Sequence, residues 1–258
     1  MTALTCVNPF YAARYKRVAS AVTPRPQRRP EPDHPVYVKL PRAPRNASPV
    51  PHLTSLYHFS RAGEYGDRSY PGNCGGNLIK DLLLYFKPGG LILDPMSGGG
   101  TCPDVCRELG IPCMAWDIHR GIDACDPQGF SDAEAFDFIW AHPPYWRQKL
   151  YADDPRDLSR APTLDVFLRR YGQFIRNCTR VLKAGGKLAV LMGDYSDREA
   201  GFVPLVYHTK RLALAAGLRQ HCTDIIRFSH GASSGKKVYR SSFIPGLHDV
   251  CMIFDKQS

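Results

Sequence analysis

Two short stretches hold the residue types that could do chemistry. In AHPPYWRQ, residues 141–148, an imidazole is followed by two prolines and two aromatic rings. Consecutive prolines cannot sit in a helix interior or a central strand, and their missing N–H groups leave carbonyls bare in a rigid frame. His142, Pro143, Pro144, Tyr145 and Trp146 thus bring a polar side chain, fixed carbonyls and flat faces to one point. In DPMSGGGT, residues 94–101, Asp94 and Pro95 lead into Ser97, Gly98, Gly99 and Gly100. The glycines remove side chains that would hold a ligand off the backbone, and they allow positive φ. Thr101 is placed to cap the following helix, whose N-terminus favours a carboxylate or phosphate. A dinucleotide fingerprint would need glycine or alanine where Pro103 stands, and a phosphate loop would need Gly-Lys-Ser/Thr. Further along, Asp117 closes an apolar run, where its carboxylate can accept from both hydroxyls of a ribose or cap a helix. Asp123 offers a further polar contact.

Positioning these residues requires strands that end at them. NLIKDLLLYF (77–86) has apolar residues at helical spacing, with Asn77 as cap and KPGG as stop. LILD (91–94) reads as a short buried strand, followed by the glycine loop and a helix through CPDVCRELG. CMAWD (113–117) and FDFIWAH (136–142) read as strands, and 163–186 as a long amphipathic helix ended by glycine. KLAVLMGD (187–194) is a strand, PLVYHTKRLALAAG a helix, and TDIIRFSH (223–230) and DVCMIFD (249–255) are strands. This alternation predicts an α/β fold with a doubly wound, mostly parallel sheet, and an antiparallel pair at its edge because only a loop joins the last two strands. Ligands of such sheets sit beyond the carboxyl ends of the strands, so Asp94, Asp117, His142 and Asp194 should face one crevice.

DPMSGGGT followed downstream by HPPYW resembles the S-adenosylmethionine-dependent amino-methyltransferases of nucleic acids, over about residues 57 to 256. Those enzymes carry an Asp-Pro-Phe-x-Gly-x-Gly-Thr loop and an Asp/Asn/Ser-Pro-Pro-Tyr/Phe loop on a Rossmann-like fold. YPGNCGGNLIKDLL is similar to the family's additional cofactor segment, with Asn73 as its contact. The resemblance implies S-adenosylmethionine as cofactor, bound by Asn73, Asp94, Pro95, Ser97, Gly98, Gly100, Thr101, Asp117 and Asp123. It also implies a base removed from its stack onto Tyr145, with Trp146 either helping there or covering the hinge. The amine of that base would be held by His142 and the carbonyl of Pro143. Acceptors on both amino hydrogens draw the nitrogen toward tetrahedral geometry and aim its lone pair at the methyl group. His142 departs from the family pattern: a neutral imidazole accepts through one ring nitrogen, a protonated one through none.

Composition supports an anionic partner. The formal net charge is +10, and residues 1–70 hold eleven Lys/Arg against four Asp/Glu. TPRPQRRPEPDHP (23–35) cannot bury enough apolar surface to fold alone. Residues 1–56 therefore read as a basic, proline-rich arm, and 57–258 as a methyltransferase domain without a separate target-recognition domain. Contacts to nucleic acid are expected from Arg147 and Lys149 after the proline loop, and from Lys236, Lys237 and Arg240 in HGASSGKKVYRSSF. DNA, modified at adenine N6 or cytosine N4, is the first expectation. RNA amino-methylation and a non-catalytic nucleic-acid-binding protein are the alternatives. The chain has no membrane-length apolar run and no signal-peptide order at its start, and a cytoplasmic protein is expected. Oligomeric state is left open, a homodimer among the options. None of the nine cysteines forms a C-x-x-C pair; Cys102 and Cys106, four apart on one helix face, read as buried reduced thiols and not as a metal site.

Overall fold

The structure, a computed structural model, describes residues 45–58, 63–130, 133–228, 244 and 246–257. The stretch 23–35 and the basic loop with Lys236, Lys237 and Arg240 lie outside these residues. The strands are β1 (Leu56–His58), β2 (Ile92–Asp94), β3 (Cys113–Ala115), β4 (Phe136–Ala141), β5 (Leu182–Met192), β6 (Tyr195–Asp197), β7 (Gly201–Val203), β8 (Leu218–Gln220), β9 (Ile225–Phe228) and β10 (His248–Lys256). The helices are α1 (Asn77–Phe86), α2 (Thr101–Leu109), α3 (Leu164–Val181) and α4 (Leu205–Ala215).

The main sheet runs β1-β9-β10-β5-β4-β2-β3, with β8 also paired to β10. β2 pairs in parallel with β3 and with β4, and β4 in parallel with β5. The chain leaves β2 for β3 on one side and returns to β4 on the other. The gap above β2 and β4 is therefore a switch point, where open sheets bind ligands.

Buried side chains alternate between the faces. Along β5, Leu188, Val190 and Met192 join the layer packed by α3 and α4, while Ala189 and Leu191 join the layer packed by α1 and α2. A register irregularity between Phe136 and Phe138 sends those two phenylalanines to opposite faces. The apolar stripe of α3, Phe167, Tyr171, Phe174, Ile175 and Cys178, is fully buried. Each such large side chain contributes roughly 1.5–3 kcal/mol by burial, which fixes the helix against the sheet. Strands covered on both sides need near-continuous apolar runs, and that is what FIWA and LAVLM supply.

Several expectations are corrected in detail. The last two strands pair antiparallel as expected, β9 with β10, but the outermost strand on that side is the short β1, which pairs in parallel with β9. Helix α3 stops at Val181, not at the glycines; Leu182 already pairs with Phe136, and the following Lys-Ala-Gly-Gly forms an irregular start to β5. Asn77 and Thr101 are not side-chain caps, since left-handed Gly76 and Gly100 occupy those positions. Val50 is buried and Leu53 packs on the core, so the described part of 45–56 belongs to the body. Among the described residues no helix is long and apolar enough to cross a membrane.

Candidate functional site

Because β2, β3 and β4 are parallel, their carboxyl ends open on one side, and a cleft lies there. From β2 and its loop it is lined by Asp94, Pro95, Ser97, Gly98 and Thr101. Asn73 enters from the segment before α1, Asp117 and Asp123 from beyond β3, and His142 and Pro144 from beyond β4. Of the remaining sequence-predicted residues, Gly100, Pro143, Tyr145, Trp146, Arg147, Lys149 and the exposed Asp194 lie outside this lining.

The glycine loop is shaped by its own amides. Gly98 has φ +44°, and its N–H donates to Asp117 Oδ2 at 2.7 Å. A Cβ added at Gly98 would stand 2.6 Å from the ring of Tyr70, so only glycine fits there. Ser97 N–H donates to the Trp116 carbonyl and Trp116 N–H to the Asp94 carbonyl, both at 2.9 Å, tying the loop to the chain beyond β3.

Asn73 serves as a brace. Its amide donates to the carbonyls of Tyr65 and Asp67 and accepts from Gly75 N–H and Thr101 Oγ1, which uses both donor hydrogens and both lone pairs. Asp117 accepts from Gly98 N–H on one oxygen, and from His119 N–H and Nδ1 on the other. It caps the turn Ile118–Arg120, and about one of roughly four acceptor positions is left toward the cleft. That contact also raises the His119 pKa. Asp94 is buried, and burial raises its pKa well above the ordinary carboxylate value.

His142 is half-buried, with Nε2 at 3.1 Å from the Tyr145 hydroxyl. Tyr145 lies close against Gly193, with the Asp249 carboxylate beside it. Burial, then Asp249, raises the phenol pKa far above its ordinary value, so the hydroxyl keeps its proton. Asp249 in turn receives Arg227 at 2.6 Å, and Arg227 also donates to the Cys74 carbonyl.

Two expected roles change. Trp146 is buried, its indole N–H donating to the Ala161 carbonyl at 2.9 Å. It anchors the loop and offers no face to the cleft. Arg147 stacks over Trp146 and forms a two-point pair with Asp197 at 2.9 and 2.7 Å, plus a contact to Glu199, so its charge is matched within the protein. Lys149 is exposed.

Sequence reasoning missed the aromatic wall. Tyr70 and Tyr151 both line the cleft with ring centroids 5.9 Å apart and planes 23° apart. Asp157, buried, accepts from the N–H groups of Tyr151, Ala152 and Ser159 and so shapes the segment carrying Tyr151. The signal was present only as a D-x-S turn, a pattern too common to single out.

No protein-family model matches the sequence, and no curated protein matches it. Partial structural likeness extends to TTHA0409 of Thermus thermophilus, described provisionally as a DNA modification methylase and complexed with S-adenosyl-L-methionine. It is 18% identical with a TM-score of 0.39, over 53% of this chain and 54% of that one. TrmN from Thermus thermophilus is 19% identical with a TM-score of 0.42, over 69% and 48%. A Burkholderia thailandensis 1,6-didemethyltoxoflavin-N1-methyltransferase with bound S-adenosylhomocysteine is 12% identical with a TM-score of 0.44, over 70% and 78%. This chain therefore spans about half the length of the first two. At these identities and scores none of the three assigns a substrate or a residue role to it.

Proposed function

We propose that this protein transfers a methyl group from S-adenosylmethionine to the exocyclic amine of a base in nucleic acid, with DNA adenine N6 or cytosine N4 as targets. The observation that carries the reading is the convergence of the glycine loop beyond β2 and His142 and Pro144 beyond β4 on one cleft. The cofactor fits what is present: a glycine backbone that admits close approach, loop residues Pro95 and Ser97, and the Asp94 and Asp117 carboxyl groups lining the cleft. Bound there, it would supply an electrophilic methyl group.

The chain's own residues would do the rest. A base amine is a poor nucleophile because its lone pair is delocalised, so the site must hold the amino hydrogens. The Tyr145 hydroxyl has one proton, and the Asp249 carboxylate can only accept it. With that proton directed at Asp249, Tyr145 would accept from His142 Nε2–H, the tautomer in which Nδ1 is the acceptor. The rigid Pro143–Pro144 pair supplies carbonyls set before the base arrives. Tyr70 and Tyr151 offer flat faces for a base outside its stack, in place of Tyr145.

The test is to incubate the full chain with methyl-labelled S-adenosylmethionine and either DNA or RNA, then analyse nucleosides by mass spectrometry. N6-methyladenine or N4-methylcytosine in DNA supports the reading. Label only in RNA moves the substrate, and cofactor binding without any transfer leaves a non-catalytic binding protein.

A further inference from the structure

We propose that Cys102, Cys106 and Cys113 form a three-sulfur site for a thiophilic metal ion, zinc(II) or a softer congener. Cys102 and Cys106 stand four apart on one face of α2, and Cys113 begins β3, the strand that α2 leads into. The turn between them is tight: Gly110 takes φ +68° and Ile111 N–H donates back to the Cys106 carbonyl at 2.9 Å. The three sulfurs lie within 4.8 Å of one another, and those of Cys102 and Cys106 are 4.0 Å apart. With zinc–sulfur bonds of about 2.3 Å, thiolates around one ion sit about 3.8–4.0 Å apart, so small rotamer adjustments complete the set.

Three thiols placed merely as small apolar side chains need not aim at a common point. A disulfide does not account for the Cys102–Cys106 pair, because residues four apart on a helix have Cβ atoms about 5–6 Å apart and a disulfide needs about 3.5–4.5 Å. Cys102 and Cys106 are fully buried and Cys113 half-buried, which leaves the Cys113 side for entry. The pair of cysteines on α2 alone falls short of a zinc signature; the fold adds the third ligand from the next strand. Such an ion would tie α2 to β3, the elements flanking the glycine loop and Asp117. None of the three cysteines lines the cleft, so the site stands or falls independently of methyl transfer.

The reduced full chain, stripped with a chelator, would be titrated with cadmium(II) while the thiolate-to-metal charge-transfer band is followed, and zinc(II) then used as competitor. The expected result is one saturating equivalent, displaced by zinc, with at least about tenfold weaker binding in Cys113→Ser. Binding should be unchanged in Cys222→Ser, an exposed cysteine elsewhere. X-ray absorption of the wild-type complex should count three sulfur ligands, which keeps the test decisive if Cys113→Ser fails to fold. Absence of a saturable band, binding indifferent to Cys113→Ser, or fewer than three sulfurs would overturn the site.

Discussion

At the scale of single residues, the imidazole tautomer is the most exposed point of the proposed mechanism. His142→Asn keeps an amide oxygen as acceptor and should retain measurable methyl transfer, whereas His142→Ala should lose on the order of a hundredfold. Tyr145→Phe removes the group that accepts from Nε2–H and should cost about 10–100-fold in rate, the range for outer partners that orient a histidine, with cofactor affinity unchanged. Asp249→Asn is the poorer probe, because it also strands Arg227 in a buried pair. Wild-type rates in Tyr145→Phe would sink the tautomer argument. Asp94 gives a prediction in stability. Its native pKa is raised above 3.8, so the folded state holds this proton more tightly than the unfolded chain. Stability contributed here falls as pH rises from the ordinary carboxylate pKa toward the raised native one. Asp94→Asn, neutral throughout, should melt higher than wild type at neutral pH, and the advantage should shrink on acidification toward about pH 4. An advantage that grows with acid would refute the sign.

Elements show why some of this was legible in the sequence and some was not. Strands β2, β4 and β5 declare themselves by continuous apolar runs, and the residues at or just past the ends of β2 and β4, Asp94 and His142, mark the cleft because parallel strands all end on one side. The end of α3 was not legible: glycines look like a stop, yet Leu182 gains more by pairing opposite Phe136 in the buried sheet than by another helical turn. The outermost strand was missed because β1 is three residues long and its partner β9 lies far along the chain, Leu56 standing opposite Ile226, which no local pattern records. The small hairpin β6–β7 was missed because its strands are equally short, and it changes the reading of Arg147. That arginine looks like a phosphate ligand until Asp197, fifty residues on, is brought against it. Arg147 pulls the Asp197 pKa below its ordinary value, so their contribution is present at neutral pH and fades as pH drops through the carboxylate range. Arg147→Gln should therefore lower the melting temperature at neutral pH, lose that difference in strong acid, and leave the salt slope of nucleic-acid binding unchanged. A slope reduced by about 0.9 in Arg147→Gln would return the residue to phosphate contact.

For the whole molecule the governing quantity is charge. Of the net +10, residues 1–44 hold eight Lys/Arg against two Asp/Glu, a net of +6. The remaining 214 residues are then near +4, too little to explain tight binding to a polyanion by charge alone. If the first 44 residues contact phosphates, removing them should weaken DNA binding and flatten its salt dependence, each lost contact lowering the slope by about 0.9. Cofactor affinity should stay unchanged, because every described residue lining the cleft lies beyond Ser69. The cut must not go further: Val50 is buried at 3% exposure and Leu56 opens β1, so deletion through residue 56 would strip core and sheet together. The shorter deletion should melt like the full chain and the longer one clearly lower. Binding isotherms at several salt concentrations, with calorimetry for the cofactor, separate the outcomes. An unchanged slope in the shorter deletion would make the removed segment a spectator and place the anion-binding surface on the body of the fold.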